Sequence, residues 1–408
     1  MITWITFEMS TNTDGLTPIV QYGQSELNHK SFGYATAWMN GNRTSFVNRV
    51  MLNHLKPDVI YLYRCGNEQN QIWSKTFKFR SKPENEEEWS PKIALFGDMG
   101  LVNGRSIPYL NERSKNMEYD VIFHSGDIAY NLHELNGKLG DEFMRKMEPA
   151  ISTIPYQTAV GNHEWFQNFT HYTNRYTMTD SLTGDQNNYY YSFNVGPVHF
   201  ISISSEFYFW YLNQGEFPSH DIENIKIQYD WLKRDLIEAN RPENRRKRPW
   251  IIVAAHRAMY CSPWMWTILR KGIPIVYRWG LEDILYEYGV DMYIGAHEHT
   301  YERLFPIYNR RVYNGSLDNP YRNPKAPVHF LVGSGGCREL VDPFINHPAP
   351  WSAKRISDYG ITELHVMNKT HIRIQQRSTH NVTDLQTYGK IVDSILLVKE
   401  RHGKEAWF

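Results

Sequence analysis

The chain has no excess of charge of either sign: 44 Lys and Arg face 44 Asp and Glu over 408 residues. No basic field therefore marks it for nucleic acid or for an anionic membrane surface. Long apolar runs are missing too, and nothing approaches the ~20 residues of a membrane-spanning helix. The opening stretch, MITWITFEMSTNTDG, alternates instead of placing an apolar run behind basic residues, so no secretory signal is legible there. Cysteine is scarce. Cys65, Cys261 and Cys337 allow at most one intramolecular disulfide and leave one thiol over. No internal repeat or low-complexity tract breaks the pattern. Aromatics, by contrast, are abundant (13 Trp, 27 Tyr, 19 Phe), which suits a packed globular chain and not a disordered one.

Five Asn-x-Ser/Thr triplets, at Asn42, Asn168, Asn314, Asn368 and Asn381, favour a secretory route and glycosylation. They conflict with the missing signal, and a true start upstream of Met1 reconciles the two. The first 80 or so residues read as β: MITWITF, SFVNRVMLNHL, DVIYLYRCG and IWSKTFKFRS are alternating or β-rich runs between Gly, Asn, Asp and Pro breaks. A small sandwich is expected, with Ile2 already in a strand and an earlier strand missing from one edge.

A polar linker, SKPENEEEWSPK, follows. Beyond it the pattern changes to short apolar strands: IALFGDMG, DVIFHSGDIAY, YQTAVGNHE, VHFISIS, WIIVAAHR, VDMYIGAHEH and VHFLVGSGG. Helix-like segments lie between them, among them SIPYLNERSKNM, DEFMRKMEPAIS and IQYDWLKRDLIEAN. Buried strands alternating with helices predict an α/β domain, with its site at the carboxyl ends of the strands. The last segment, from His371 to Glu400, reads as closing strands.

Those carboxyl ends carry Asp98, then Asp127 and Tyr130, then Asn162 and His163, then His256, then His297 and His299. One Asp after a strand is ordinarily a cap or a turn residue. Five successive strand ends that each offer a hard oxygen or an imidazole form a metal-ligand pattern. The set has no thiolate, and seven donors exceed the needs of one tetrahedral ion but suit two ions with open positions. Asp127, with two carboxylate oxygens, can bridge such a pair. If the H-x-H lies on a strand, His297 and His299 point to one face and serve different ions.

The order GD, GDxxY, GNH(E), H, HxH resembles the purple acid phosphatases, within the calcineurin-like metallophosphoesterases. The resemblance runs from about Ile2 to the C-terminus, through YLYRCG, WSPKIALFGDMG, QNFTHY, HRAMYCS, AHEHTYERLFPIYN, GSGGC, PWSA and YGKIVD, and is nearest to the longer animal iron/zinc form. It implies a small fibronectin-III-like β-sandwich (residues 1–84), a linker (85–91) and a four-layer α/β/β/α metallophosphoesterase domain with the C-terminal strands (92–408). It also implies an acid phosphatase acting on small-molecule or protein phosphomonoesters, with a binuclear centre and a metal-bound hydroxide as nucleophile. Asp98, Asp127, Tyr130 and His299 would hold Fe3+; Asp127, Asn162, His256 and His297 would hold zinc, Fe2+ or Mn2+. His163 matches the histidine that contacts substrate phosphate and leads as general acid, with Tyr260 and Glu302 unassigned. Glu164 is expected to orient its loop, and His124 to support its strand end. A secreted or lysosomal location is implied.

The match departs from the family after His256. CSPWMWTILRKGIPIVYRWGLEDI replaces an acidic, Asn/Asp-rich loop, and Cys261 lacks its expected partner. Three other stretches invite bland readings: GSGGC a tight turn, RPENRRKRP a solvated loop, and WYLNQ and SPWMW packing surface. Two rivals stand beside the monoesterase: a phosphodiesterase or nucleotidase of the same superfamily, and an inactive secreted binding protein on this fold.

Overall fold

A computed structural model of the chain describes residues 1–7, 17–69, 71–209, 219–262, 279–316, 318–344, 346–384 and 386–408. WYLNQ and residues 263–278 of the divergent stretch after His256, most of SPWMW among them, lie outside them.

The N-terminal strands form two facing antiparallel sheets. Ile2–Thr6, Arg43–Val50 and Tyr34–Asn40 make one; His29–Phe32, Ile19–Gly23 and Ile60–Asn67 make the other, with Ile72–Trp73 and Phe77–Arg80 beside Ile60–Asn67. Alternation along Ile60–Asn67 turns Tyr61, Tyr63 and Cys65 inward, where they meet Val20, Tyr22 and Val50. The expected sandwich is present. Tyr63 also reaches out of it, donating its hydroxyl to the Ser152 carbonyl at 2.7 Å, and Arg49 donates to Thr177 Oγ1 at 2.8 Å and to the Asn174 carbonyl at 3.1 Å.

The rest of the chain builds two further sheets. In the six-stranded one, Tyr156–Ala159, Val121–Ser125 and Lys92–Phe96 run parallel, and Gly360–Val366, His371–Ser378 and Ile391–Val398 continue antiparallel. In the seven-stranded one, Val198–Ser202, Trp250–Arg257, Met292–Ala296 and Val328–Val332 are parallel, with antiparallel strands at both edges. Strand alternation fixes the layering. Ile93 and Leu95 face the second sheet and pack with Phe123, Ile252, Ala254 and Ile294. Their neighbours Ala94 and Phe96 face Leu110, Phe143 and Met147 of the helices Ile107–Lys115 and Lys138–Ile151. On the far side, Ile251, Val253 and Ala255 meet Trp231, Leu232 and Leu236 of the helix Ser219–Ala239. The result is the expected α/β/β/α stack.

Three details differ from expectation. The closing segment has one more strand, Gly360–Val366, which pairs directly with Lys92–Phe96; its interrupted pattern, GITELHV, hides it in the sequence. The basic run RPENRRKRP is a short helix, Pro242–Lys247, and not a solvated loop throughout. Its Arg245 turns inward to the Gly289 carbonyl at 2.7 Å, and Arg248 pairs with Glu86 at 3.0 Å. His297 and His299 lie beyond the strand Met292–Ala296, with His297 in a left-handed turn, so strand alternation is not what orients them.

Candidate metal centre

Each donor stands just past, or at the end of, a parallel strand, where the chain must turn. Asp98, Asp127, Tyr130 and His297 all turn with left-handed backbone, at φ 56°, 51°, 49° and 76°. Side chains rarely adopt that conformation, which costs about 1–3 kcal/mol per residue and gathers where function over-determines the fold.

The seven donors converge in two groups. Tyr130 donates its hydroxyl to Asp98 Oδ1 at 2.9 Å and stands 2.8 Å from His299 Nε2, which is 3.5 Å from Asp98 Oδ1. In the second group His256 Nε2 lies 3.1 Å from Asn162 Oδ1 and 3.2 Å from Asp127 Oδ2. Ligand atoms of Asp127, His256 and His297 all lie within 4.8 Å of one another. Asp98, Asp127, Tyr130, His256 and His299 are buried; Asn162 and His297 are half-buried.

The electrostatics fit a cation pair. Among the described residues, Asp98 and Asp127 pair only with histidines, and no Lys or Arg neutralises either. Burial alone would raise the Asp127 carboxyl, but His256 and His163 hold it below the usual carboxylate range. Burial would lower His256, yet Asp127 pushes it up to about 10; His299, likewise opposed by burial, is pushed up to about 12 by its bond to Asp98. Without metal, imidazolium supplies the positive charge the carboxylates require. Burial first, and Asp98 second, push the Tyr130 phenol well above its ordinary value.

Outer contacts aim the ligand atoms. His256 Nδ1 meets the Ser125 carbonyl at 2.8 Å, and His299 Nδ1 the Leu340 carbonyl at 3.1 Å, which leaves each Nε2 to the site. The His297 backbone N–H donates to Asp98 Oδ2 at 2.9 Å. Glu164 does what its place after the GNH motif suggested. Its two oxygens accept the backbone N–H groups of Asp127, Ile128 and Gly161, each at 2.9 Å. Gly161 is obligatory there, because a Cβ would lie 2.3 Å from Asp127 Oδ1. Glu164→Ala leaves three buried N–H groups without an acceptor and frees the Asp127 turn. We expect kcat/KM to fall about 10- to 100-fold, as for other residues that orient metal ligands, with metal content measured alongside.

His163 sits at the mouth, half-buried. Its backbone N–H donates to Asp127 Oδ1 at 2.8 Å, and its Nδ1 lies 2.6 Å from Asn131 Oδ1. Its Nε2 lies 4.0 Å from Asp127 Oδ2 and 3.7 Å from Glu339 Oε1. The two unassigned candidates point elsewhere. Tyr260 is buried and bonded to Glu282, and Glu302 accepts the backbone N–H of Ser262 at 2.7 Å. His124 is buried beneath the site against Phe96 and Phe143, with Nδ1 2.6 Å from Tyr156 Oη. GSGGC braces the Asp98 turn: Gly335 and Cys337 donate to the carbonyls of Gly97 and Met99 at 3.0 and 2.7 Å, so those N–H groups are not presented to a phosphate. All three cysteines are buried, and none forms a disulfide among the described residues. Asn42, Asn168, Asn368 and Asn381 are exposed, and Asn314 is half-buried.

Asn131, Glu339, Arg257 and Glu206 also line or brace the site, and none was singled out from the sequence. Arg257 directly follows His256, but no spacing rule links it to Glu206, 51 residues earlier. Asn131 directly follows GDIAY and Glu339 follows GSGGC by one residue, adjacency being the only available signal.

Comparison with known proteins agrees with this geometry. Residues 91–301 match the calcineurin-like phosphoesterase family, residues 326–393 the iron/zinc purple acid phosphatase-like C-terminal family, and residues 1–81 the purple acid phosphatase N-terminal domain. The chain is 43% identical to acid phosphatase type 7 of Danio rerio over 99% of its own length and 89% of that protein. To the protein of the same name in Homo sapiens it is 44% identical, over 90% of this chain and 80% of that one. A purple acid phosphatase from yellow lupin seeds shares the fold at a TM-score of 0.73 and 22% identity, covering 94% of this chain and 69% of that one. Five strand ends that turn their donors to one point, in this order and on this framework, therefore place the chain among the purple acid phosphatases of the calcineurin-like phosphoesterase superfamily.

Proposed function

We propose that the chain is an acid phosphatase that hydrolyses phosphate monoesters at a dimetal centre. The observation that carries this is the convergence of seven donors in two groups, with Asp127 in the second and His163 beside it. Asp98, Asp127, Tyr130 and His299 would hold one ion, for which family resemblance favours Fe3+. Asp127, Asn162, His256 and His297 would hold the other, zinc or else Fe2+ or Mn2+. Bound there, the two ions supply Lewis acidity and an activated water.

The chain's own residues do the rest. Asn131 holds the His163 ring by Nδ1 and the Asp127 carboxylate holds its backbone, so that Nε2 is the atom that hands a proton to the leaving oxygen. The buried walls around Asp98, Tyr130 and His299 keep bulk water from one flank of the site. Exposed sequons support a secreted or lysosomal glycoprotein as part of the same proposal.

The test compares turnover of p-nitrophenyl phosphate with that of its bis-ester in acid buffer, alongside metal analysis and a visible spectrum. Faster monoester turnover supports the reading. Diester preference replaces it with the phosphodiesterase, and metal-free protein without turnover replaces it with the binding protein. Tyr130→Phe is expected to lose a visible absorption band that arises from phenolate-to-Fe3+ charge transfer. A colourless wild type with full metal content sinks the ferric assignment.

A further inference from the structure

We infer that Arg43, a residue of the N-terminal sandwich, is a positioning residue for the phosphatase reaction, holding the turn through which Asn131 orients His163. The inference rests on the phosphatase reading and deepens it, because it gives the sandwich a part in the reaction.

The turn is Leu135, Asn136 and Gly137, three consecutive residues with left-handed backbone at φ 55°, 54° and 79°. Such a run persists only where its surroundings over-determine it. Here two guanidiniums grip its carbonyls. Arg43 Nη1 donates to the Asn136 carbonyl at 3.3 Å, and Arg175 Nη2 to the Gly137 carbonyl at 2.8 Å. The same two side chains share one carboxylate: Arg43 Nη2 lies 2.5 Å from Asp141 Oδ2, and Arg175 Nη1 lies 2.6 Å from Oδ1. Asp141 stands in the first turn of the helix Lys138–Ile151, and both it and Arg175 are buried. The sandwich closes the other side. The Phe7 ring lies 4.2 Å from the Arg43 guanidinium carbon, and a Cβ on Gly137 would lie 2.6 Å from Asn40 Nδ2.

From this turn a chain of hydrogen bonds runs to the site. The Gly137 N–H donates to the carbonyls of His133 and Glu134 at 3.0 and 3.1 Å, and the Glu134 N–H to the Asn131 carbonyl at 3.2 Å. Glu134 Oε1 accepts Asn131 Nδ2 at 2.9 Å. An amide that spends its NH2 group there turns its oxygen the other way, and Oδ1 lies 2.6 Å from His163 Nδ1. An amide oxygen only accepts, so Nδ1 keeps its proton and Nε2 is the nitrogen that gains and loses one. Without Arg43 the run keeps its grip at Gly137 alone. Leu135 and Asn136 then relax toward ordinary backbone and carry Glu134 and the Asn131 amide with them. Arg338, which pairs with Glu134 at 3.0 Å, limits the movement but does not set the backbone of the turn.

The experiment uses the full chain, metal-loaded, as wild type, R43A, R43K, N131A, Y63F and R43A combined with N131A. Metal content is measured alongside kcat and KM on p-nitrophenyl phosphate. Wild-type turnover and metal content test the phosphatase reading by themselves, whatever the variants do. N131A is expected to lower kcat about 10- to 100-fold and R43A about 10-fold, at unchanged metal content and with KM changed by no more than about twofold. In the N131A background, R43A should cost nothing further, since Asn131 is its route to the reaction. R43K keeps a charge beside Asp141 but lacks the fork that also reaches Asn136, so it should recover part of kcat. Y63F removes a different bond of the sandwich, to the Ser152 carbonyl at 2.7 Å, and should keep wild-type kcat. Wild-type kcat in R43A or in N131A overturns the inference, as does the full R43A loss on top of N131A. A loss in Y63F equal to that in R43A overturns it too, because docking of the sandwich in general is then what matters. So does a fall in metal content in R43A. If R43A does not fold, R43K decides: wild-type kcat there overturns the proposal.

Discussion

Asp127→Asn is expected to lower kcat/KM on p-nitrophenyl phosphate by about 10³-fold, together with a loss of bound metal. Transition-state charge stabilisation by bound metal is worth several kcal/mol, and each 1.36 kcal/mol is a factor of ten. Asp127 is the carboxylate of the second group, and its two oxygens face different partners. Oδ1 accepts the His163 backbone N–H at 2.8 Å, while Oδ2 lies 3.2 Å from His256 Nε2 and 4.0 Å from His163 Nε2. Asn keeps the shape but removes the negative charge that offsets His256 and its neighbours. It also replaces one acceptor oxygen with an NH2 group that cannot coordinate. Metal content and kinetics on the same preparation check the prediction. Activity within tenfold of wild type, at full metal occupancy, would mean that the bridging place belongs to another residue.

A second large effect lies far from the site, in a buried ion cluster at the start of the strand Met292–Ala296. Asp291 and Lys399 are each 1% exposed and ion-paired. The same carboxylate accepts the Ile251 backbone N–H at 2.9 Å, lies 3.3 Å from His402 Nδ1 and lies 3.6 Å from Arg245. Asp291→Asn leaves Lys399 buried without its counter-charge, a mechanism that costs about 3–5 kcal/mol. For a folding unit of ~300 residues that corresponds to a Tm lower by about 5–8 °C. Lys399→Met should cost less, because His402 and Arg245 still face Asp291, and the double variant should recover part of the loss. Thermal melts of the three variants test this; an unchanged Tm in Asp291→Asn refutes it.

The pH dependence has a definite sign. Burial would raise the Asp291 carboxyl, but Lys399, His402 and Arg245 together hold it well below the ordinary range. A depressed carboxyl contributes stability above its unfolded pKa of ~3.9 and loses it as pH falls toward the folded value. The cluster is therefore intact in mildly acid solution and fails only under stronger acid.

Much of the site was legible because its signals are local. An apolar run that ends in Gly-Asp, or in Gly-Asn-His, states both a buried strand and a polar turn within eight residues or so, and the order of such ends repeats a known set. Tyr130 could be singled out because it stands three positions after Asp127 in GDIAY. Strand alternation was to have turned the H-x-H pair to one face for two different ions, and that reason does not hold. His297 leaves the strand through a left-handed turn, a backbone choice with no signature in the letters AHEH. Gly360–Val366 escaped notice for a related reason: its face pattern makes sense only against Lys92–Phe96, more than 260 residues earlier.

By itself, the sequence determined the elements and the donors, since both follow from short-range chemistry: apolar alternation, turn residues, and side chains able to bind a cation. Only the tertiary structure decided which donors share an ion-sized space. Asp127 comes from one sheet and His256 from the other, and they meet because Ile93, Leu95, Ile252 and Ala254 bury the two sheets face to face. It alone decided that Glu164 holds the Asp127 turn, that GSGGC braces the Asp98 turn, and that Glu206 aims Arg257 at His297. Those pairings depend on distance in space, and the packing of the sheets, not spacing along the chain, sets it.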